Sequence, residues 1–130
     1  MKKALFVVSA MLLMLGAGKA LAFDMSLSKA VSKELAFVAG KCDTSDCIAK
    51  AVKQKAGKLA GKPDYRKVHS ALSSISRGFG KCKGVCGKVE NGKLMNEITG
   101  LATWLNASDK RELAAIAPGV TKLGQGAYWR

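Results

Sequence analysis

Residues 63–80 read PDYRKVHSALSSISRGFG and contain the clearest helical pattern of the chain. Their apolar residues recur three and four positions apart, which places them along one face of an α-helix. These residues are Tyr65, Val68, Leu72, Ile75 and Phe79. Pro63 and Asp64 are typical of a helix start, and Gly78 and Gly80 predict its end. The segment therefore predicts an amphipathic helix that must bury its apolar face against other helices.

Three further stretches show the same spacing. The first lies ahead of Gly40, the second follows residues 43–45, and the third follows Asn91-Gly92. Their apolar stripes are Leu27, Val31, Leu35 and Val38; Ile48, Val52 and Leu59; and Leu94, Ile98, Leu101 and Leu105. No segment alternates as a half-buried β-strand does. The sequence therefore predicts an all-α protein, a small antiparallel bundle of four main helices.

The C-terminal part of the chain predicts one short helix and a tail. Asp109 and Glu112 have capping-box spacing, so a fifth helix is expected from Ser108 to Ala117. Pro118 is expected to end it, because proline cannot continue a helix. The tail from about residue 118 is rich in glycine and is predicted to be irregular.

The first 22 residues have the order of parts of a secretory signal peptide. Lys2 and Lys3 precede an apolar run over residues 4–15, and residues 20–22 (Ala-Leu-Ala) offer the small residues that a signal peptidase reads. The run is shorter than the about 20 apolar residues that a membrane-spanning helix needs. We therefore expect residues 1–22 to be removed, leaving a single helical domain of residues 23–130 in the periplasm or outside the cell.

The expected mature chain is strongly basic. Residues 1–22 hold three of the 22 basic residues, which leaves 19 basic against 9 acidic residues and a formal charge of +10. Such a charge favours attraction to polyanions and says nothing about the fold. Outside the cytoplasm, the available polyanions are lipid headgroups, envelope polymers, released nucleic acid and acidic proteins.

All four cysteines lie in the expected mature chain. They are Cys42, Cys47, Cys82 and Cys86. An even number in a small exported protein predicts two disulfides. The alternative, a four-thiolate zinc site, normally has C-x2-C pairs, whereas these pairs are C-x4-C and C-x3-C, so no metal is expected.

The pairing of the cysteines follows less directly from the sequence. One pair lies between the first and second helices and the other between the third and fourth, and an antiparallel bundle brings both junctions to one end. Crossed disulfides between the junctions are predicted, since their long loops are worth roughly 3–4 kcal/mol each. Two local disulfides remain the alternative.

The sequence contains no recognisable catalytic motif. His69 is the only histidine, and Asp64 and several serines lie near it in the sequence. However, there is no nucleophile elbow, P-loop or dinucleotide fingerprint. A lone histidine on the flank of an amphipathic helix is usually structural. We therefore expect a non-enzymatic protein with no catalytic residue and no cofactor.

The strongest functional feature is a series of basic residues with no acidic residue between Asp46 and Asp64. It comprises Lys50, Lys53, Lys55, Lys58, Lys62, Arg66 and Lys67. A second cluster surrounds the later cysteine pair and comprises Lys81, Lys83, Lys88 and Lys93. Such lysines often only keep a small bundle soluble. The alternative is an anion-binding surface that forms when the helices pack.

These features lead to three functional hypotheses. The first is an exported, disulfide-stabilised binding protein whose partner is an anionic envelope polymer, a lipid headgroup or an acidic protein. The second is a secreted effector, namely a toxin, an antimicrobial protein or an enzyme inhibitor. The third and weakest is extracellular nucleic-acid binding, because the basic residues are mostly lysine and are not interleaved with aromatic residues.

Overall fold

A computed structural model describes residues 24–130; the predicted signal peptide and its cleavage site lie outside the described residues. Within residues 24–130, six α-helices follow one another. They are α1 (Met25–Lys41), α2 (Ser45–Gly57), α3 (Arg66–Gly80), α4 (Lys88–Asn106), α5 (Arg111–Ala114) and α6 (Ala117–Leu123). A 3-10 turn, Pro63–Tyr65, precedes α3, and a second one, Ala127–Trp129, follows α6. Residues 24–130 contain no strand, and the predicted small all-α bundle with two disulfides is confirmed.

The helix starts follow from local capping. The Asp24 carboxylate accepts a hydrogen bond from the Leu27 backbone N–H, and the Thr44 hydroxyl accepts one from the Cys47 N–H. Each bond satisfies one of the backbone donors left free at the start of a helix.

The fourth helix begins earlier than the sequence predicts. It starts at Lys88, ahead of Asn91-Gly92. The Asn91 side chain does not form a turn, because its amide donates to the Cys86 carbonyl at 3.3 Å and its oxygen accepts from the Tyr128 hydroxyl. Asn91, which was predicted to precede the helix, therefore lies within it and links the preceding loop to the C-terminal tail.

The helices pack as two closely associated pairs. Helices α2 and α3 form an antiparallel hairpin, and α1 packs mainly on α6, which also contacts α4. All six helices contribute to one cluster of buried apolar residues. Helix α6 thus lies against both α1 and α4, where a simple four-helix bundle would bring α1 and α4 together.

The prediction of an irregular tail from residue 118 is wrong. Pro118 stands in the first turn of α6, where its missing N–H and its fixed φ are tolerated. The predicted helix from Ser108 to Ala117 is limited to α5 (Arg111–Ala114). The glycines that suggested a loop have a packing role instead. A Cβ atom on Gly119 would collide with the backbone of Ser32, and one on Gly126 with that of Ala39.

The last residues of the tail close the core. The Phe79, Tyr128 and Trp129 rings meet edge to face, with centroids 5.1 to 5.9 Å apart. The Trp129 indole N–H donates to the Leu123 carbonyl at 2.8 Å. Aromatic packing and this hydrogen bond together fix the tail after α6.

The predicted crossed disulfides are also wrong, because the pairs are Cys42–Cys47 and Cys82–Cys86. The two junctions do meet at one end of the bundle, as predicted. However, their contact is made by Ser45, whose hydroxyl donates to the Cys82 carbonyl and whose N–H donates to the Gly84 carbonyl, both at 2.7 Å. The Cα atoms within each local pair are 5.4 and 4.8 Å apart, which suits a disulfide. Gly84, with φ +85°, allows the second loop to turn back within four residues.

Candidate anion-binding surface

The packing of the helices divides the seven predicted anion-binding residues into four groups. The first group, Lys55 and Lys58, forms ion pairs with Glu34 of α1, with Nζ–Oε1 distances of 3.0 and 2.8 Å. The hydrogen bond from Lys58, followed by that from Lys55, lowers the pKa of the Glu34 carboxyl below its ordinary value. These two lysines therefore connect α1 to α2 and do not form a free cationic surface.

Lys67 forms the second group on its own. Its ammonium nitrogen lies 4.5 Å from the centroid of the Trp104 ring, which belongs to α4. This is a cation–π contact between α3 and α4, in which the ammonium lies over the face of a partly buried tryptophan.

Lys62 and Arg66 form the third group, at the start of α3. They line a small cavity of about 230 Å³ together with His69. Among residues 24–130, the imidazole ring of His69 has no hydrogen-bond partner, so no carboxylate or serine orients it. The sequence neighbours that suggested a nucleophile and a base are not assembled around it.

Lys50 and Lys53 form the fourth group, and they converge with a residue that the sequence analysis did not select. Both line a surface cavity of about 430 Å³ between α2 and α3, here called the α2–α3 groove. Arg77 lines the groove from the α3 side, together with Ser73. None of the described residues that line the groove is acidic.

Small residues form the floor of the α2–α3 groove. Ser76 is buried and donates a hydrogen bond from its hydroxyl to the Ala49 carbonyl at 2.7 Å. Gly80 also lies close to α2, since a Cβ atom there would be 3.8 Å from the Ala49 Cβ. The helices therefore approach closely at this point, and the long side chains of Lys50, Lys53 and Arg77 stand on either side of it.

Helical spacing places these residues on the groove. On α2, the positions of Ile48, Val52 and Ala56 face the core, so Lys50 and Lys53 lie at the margin. On α3, Ser73 and Arg77 are four residues apart and lie beside the buried stripe. Arg77 was missed because it lies outside the continuous run of lysines. The sequence does place Arg77 on the same face of α3 as Ser73, four residues earlier. That face becomes a wall of the groove only when α2 packs on α3.

The neighbouring cavity between α3 and α4 has a different charge balance. Arg77, Lys81 and Lys93 line it, but so do Glu90 and Glu97. A carboxylate or phosphate ligand would meet repulsion there. The α2–α3 groove is therefore the better candidate for binding an anion.

The chemistry of the α2–α3 groove suits an oxyanion. Arginine offers a planar fork of N–H donors that matches a carboxylate or phosphate, and lysine adds a mobile ammonium group. The Ser73 hydroxyl, which is partly exposed in the groove wall, can donate a further hydrogen bond. Because the cations are exposed, their attraction for a ligand should depend strongly on salt.

Among residues 24–130, no group of three or more His, Cys, Asp or Glu side chains is placed to hold a metal ion. None of the helices in this range is both long and apolar enough to cross a bilayer. The two disulfides are compatible with a protein that folds outside the cytoplasm.

No protein-family model matches the chain, and no curated protein or solved structure is detectably similar to it.

Proposed function

We propose that the protein is an exported, non-enzymatic binding protein whose α2–α3 groove holds the phosphate or carboxylate groups of an anionic partner. The partner is an envelope component, such as an anionic polymer or lipid headgroup, or an acidic protein. One observation carries the proposal: Lys50, Lys53 and Arg77 converge from two helices on one groove that has no acidic lining residue. Export is proposed from the signal-peptide pattern of residues 1–22.

The positions of the charges support anion binding in the groove over a general attraction of anions to the basic surface. Lys55 and Lys58 are already paired with Glu34, and Lys67 lies over Trp104. In contrast, Lys50, Lys53 and Arg77 form no ion pair with any described residue. Three cations held within one cavity attract an anion more strongly than the same charges spread over the surface, since their potentials add.

The groove favours phosphate or carboxylate groups over nucleic-acid bases. Its described lining contains no aromatic side chain on which a base could stack. Binding of DNA through this groove should therefore be independent of sequence and no tighter than binding of another polyphosphate of equal charge.

A matched pair of triple variants tests the proposal. K50Q/K53Q/R77Q removes three charges from the groove, and K29Q/K33Q/K122Q removes three exposed charges elsewhere. Glutamine preserves helicity at these positions. Binding of polyphosphate and polyglutamate is to be measured by calorimetry while salt is raised from about 50 to 200 mM.

We expect the groove variant to lose affinity by about tenfold or more and to show a weaker salt dependence. The control variant should lose about twofold to threefold, because it lowers only the net charge. Equal losses in the two variants would show that no localised anion site exists. Absence of binding by the unmodified protein at low salt would also refute the proposal.

A further inference from the structure

The large apolar side chains that remain exposed are few and unevenly distributed. In the described part of the chain they are Phe37, Val85 and Val89, with 65%, 70% and 65% of their surfaces exposed. Val85 lies within the loop closed by Cys82–Cys86, and Val89 lies in the first turn of α4. These two valines and the loop that carries them are here called the loop tip.

The loop tip is held firmly from its inner side. The Tyr128 hydroxyl accepts a hydrogen bond from the Cys86 N–H at 2.8 Å and donates to Asn91 at 3.0 Å. Ser45 also donates two hydrogen bonds to the backbone of the same loop. With its backbone fixed by these bonds and by a disulfide, the loop presents Val85 to solvent. Little conformational entropy remains to be lost when the tip binds a surface.

Several lysines lie close to the two valines in the sequence. Residues 81–93 contain four lysines and one acidic residue, Glu90. The lysines are Lys81, Lys83, Lys88 and Lys93, and all are exposed. None of them forms an ion pair with another described residue. The loop tip therefore combines two exposed aliphatic side chains with nearby lysines, of which Lys83 and Lys88 do not line the α3–α4 cavity that contains Glu90 and Glu97.

We propose that the loop tip is a contact site for a bilayer that contains anionic lipids. Val85 and Val89 enter the boundary between headgroups and acyl chains, and Lys83 and Lys88 pair with the headgroup phosphates. Aliphatic groups flanked by lysine are what a charged lipid interface recognises. Both valines are exposed, and neither lines any of the cavities described above. Their surroundings therefore fit a lipid interface, which needs no shape-matched pocket, better than a protein partner.

This site is distinct from the α2–α3 groove and does not depend on it. The groove is lined by Lys50, Lys53 and Arg77, none of which belongs to the loop tip. The two sites are nevertheless at the same end of the bundle, since Gly80 lines the groove and Lys81 follows it directly. A protein held at the bilayer by the loop tip would keep the groove close to the membrane surface.

Vesicle co-sedimentation of residues 23–130 tests the proposal. Vesicles of phosphatidylcholine alone are compared with vesicles of equimolar phosphatidylcholine and phosphatidylglycerol at low salt. V85S/V89S removes the aliphatic groups and keeps the charge, K83Q/K88Q does the opposite, and F37S is the control for an exposed apolar group elsewhere. All three changes affect exposed side chains, and thermal unfolding should confirm that each variant folds.

We expect the unmodified protein to bind the anionic vesicles and to bind neutral vesicles much more weakly. V85S/V89S and K83Q/K88Q should each weaken binding to anionic vesicles by about fivefold to tenfold, and F37S by less than about twofold. Polyphosphate binding should be unchanged in V85S/V89S, whatever the outcome for the groove variant.

Three results would overturn the proposal. The first is no binding of the unmodified protein to anionic vesicles. The second is undiminished binding by V85S/V89S, which would leave the valines for an acidic protein partner. The third is a loss of vesicle binding in K50Q/K53Q/R77Q alone, which would assign the lipid contact to the groove. Failure of the groove proposal is separate, because it shows as unchanged polyphosphate binding in that variant.

Discussion

Small residues allow close helix packing at both the α1–α6 contact and the α2–α3 contact, but the residues around the two contacts differ. In the first, the backbone of Gly119 lies against Ser32, and its N–H donates to the Ser32 hydroxyl at 2.8 Å. In the second, Ser76 and Gly80 also bring the helices close together at Ala49. The flanking residues differ. Ala117, Val120 and Leu123 of the same helix as Gly119 are buried. In contrast, long basic side chains stand on either side of the α2–α3 approach.

The difference separates a structural interface from an exposed surface. A larger residue in place of Gly119 at the α1–α6 contact would have to displace the backbone, so this contact should tolerate few substitutions. The α2–α3 margin is open to solvent and should accept substitutions with small losses of stability. Four predictions test this contrast, and they run from the largest expected effect on stability to the smallest.

The largest effect is expected at Gly119. A Cβ atom there would overlap the backbone of Ser32, so Gly119→Ala should destabilise the protein by about 2–4 kcal/mol. The control is Gly100→Ala, at an exposed position of α4 with no atom within 4 Å of the added Cβ. This change should stabilise by about 0.5–1 kcal/mol, because alanine is the better helix former. Urea unfolding of both variants is the measurement, and equal effects would contradict the close α1–α6 contact.

Gly119 also shows why α6 could not be predicted from the sequence. Glycine and proline lower helix propensity, so a segment that contains both reads as a loop. The helix forms because tertiary packing overrides propensity, and glycine is needed where the backbone of α6 meets that of α1. Tyr65 to Phe79 presented the opposite case, since their spacing predicts helix α3 without reference to any neighbour.

The groove and the disulfides also combine features that the sequence predicts with features that depend on the packing of the helices. Lys50 and Lys53 were predicted as anion-binding candidates from their place on α2, but Arg77 is brought to them by packing between helices. The chain-entropy argument favoured crossed disulfides because it considers only the unfolded state. It takes no account of Ser45, whose hydrogen bonds join the junctions where crossed disulfides were expected.

The disulfides at the open end of the α2–α3 hairpin should give the second-largest effect. Each closes a loop of only about five residues, so C42S/C47S and C82S/C86S should each cost about 2 kcal/mol in the chain-entropy model. Helical circular dichroism should remain in both variants, because most of the buried core residues belong to the helices. Chemical unfolding measures the loss. A cost of 4 kcal/mol or more from either pair, on the order expected of crossed loops of about 35 to 45 residues, would contradict local pairing.

Non-reducing tryptic mapping tests the pairing itself. Cleavage after the lysines gives the peptide of residues 42–50, which contains both Cys42 and Cys47. Local pairing leaves this peptide on its own with an internal disulfide, and links the peptides of residues 82–83 and 84–88 to each other. Crossed pairing would join all three peptides.

A smaller effect is expected where the two regions are joined. The buried Tyr65 hydroxyl accepts a hydrogen bond from the Asp24 N–H at 3.0 Å and shares one of 2.7 Å with the Ser28 hydroxyl. Tyr65→Phe leaves the fully buried Ser28 with one partner fewer and should cost about 1–2 kcal/mol. The measurement is a double-mutant cycle with Ser28→Ala. Additive losses would show that the two hydroxyls do not interact, whereas a double variant less destabilised than the sum confirms the bond.

The smallest effect is expected at Glu34, which connects α1 to α2 through Lys55 and Lys58. All three side chains are at least partly exposed, so Glu34→Gln should cost only about 0.5 kcal/mol at neutral pH. The lysines lower the pKa of the Glu34 carboxyl in the folded protein. The stabilisation is therefore present above the ordinary glutamate value of about 4.3 and is lost as pH falls through the lowered pKa.

Urea unfolding of the unmodified protein and of Glu34→Gln at neutral and acidic pH measures this dependence. The difference between them should shrink towards zero in acid and should also decrease at high salt. Glu97→Gln is the matched control, since Glu97 accepts a hydrogen bond from Ser74 and belongs to no ion pair among residues 24–130. A difference for Glu34→Gln that persists unchanged in acid would mean that packing of the side chain, and not its charge, connects α1 to α2.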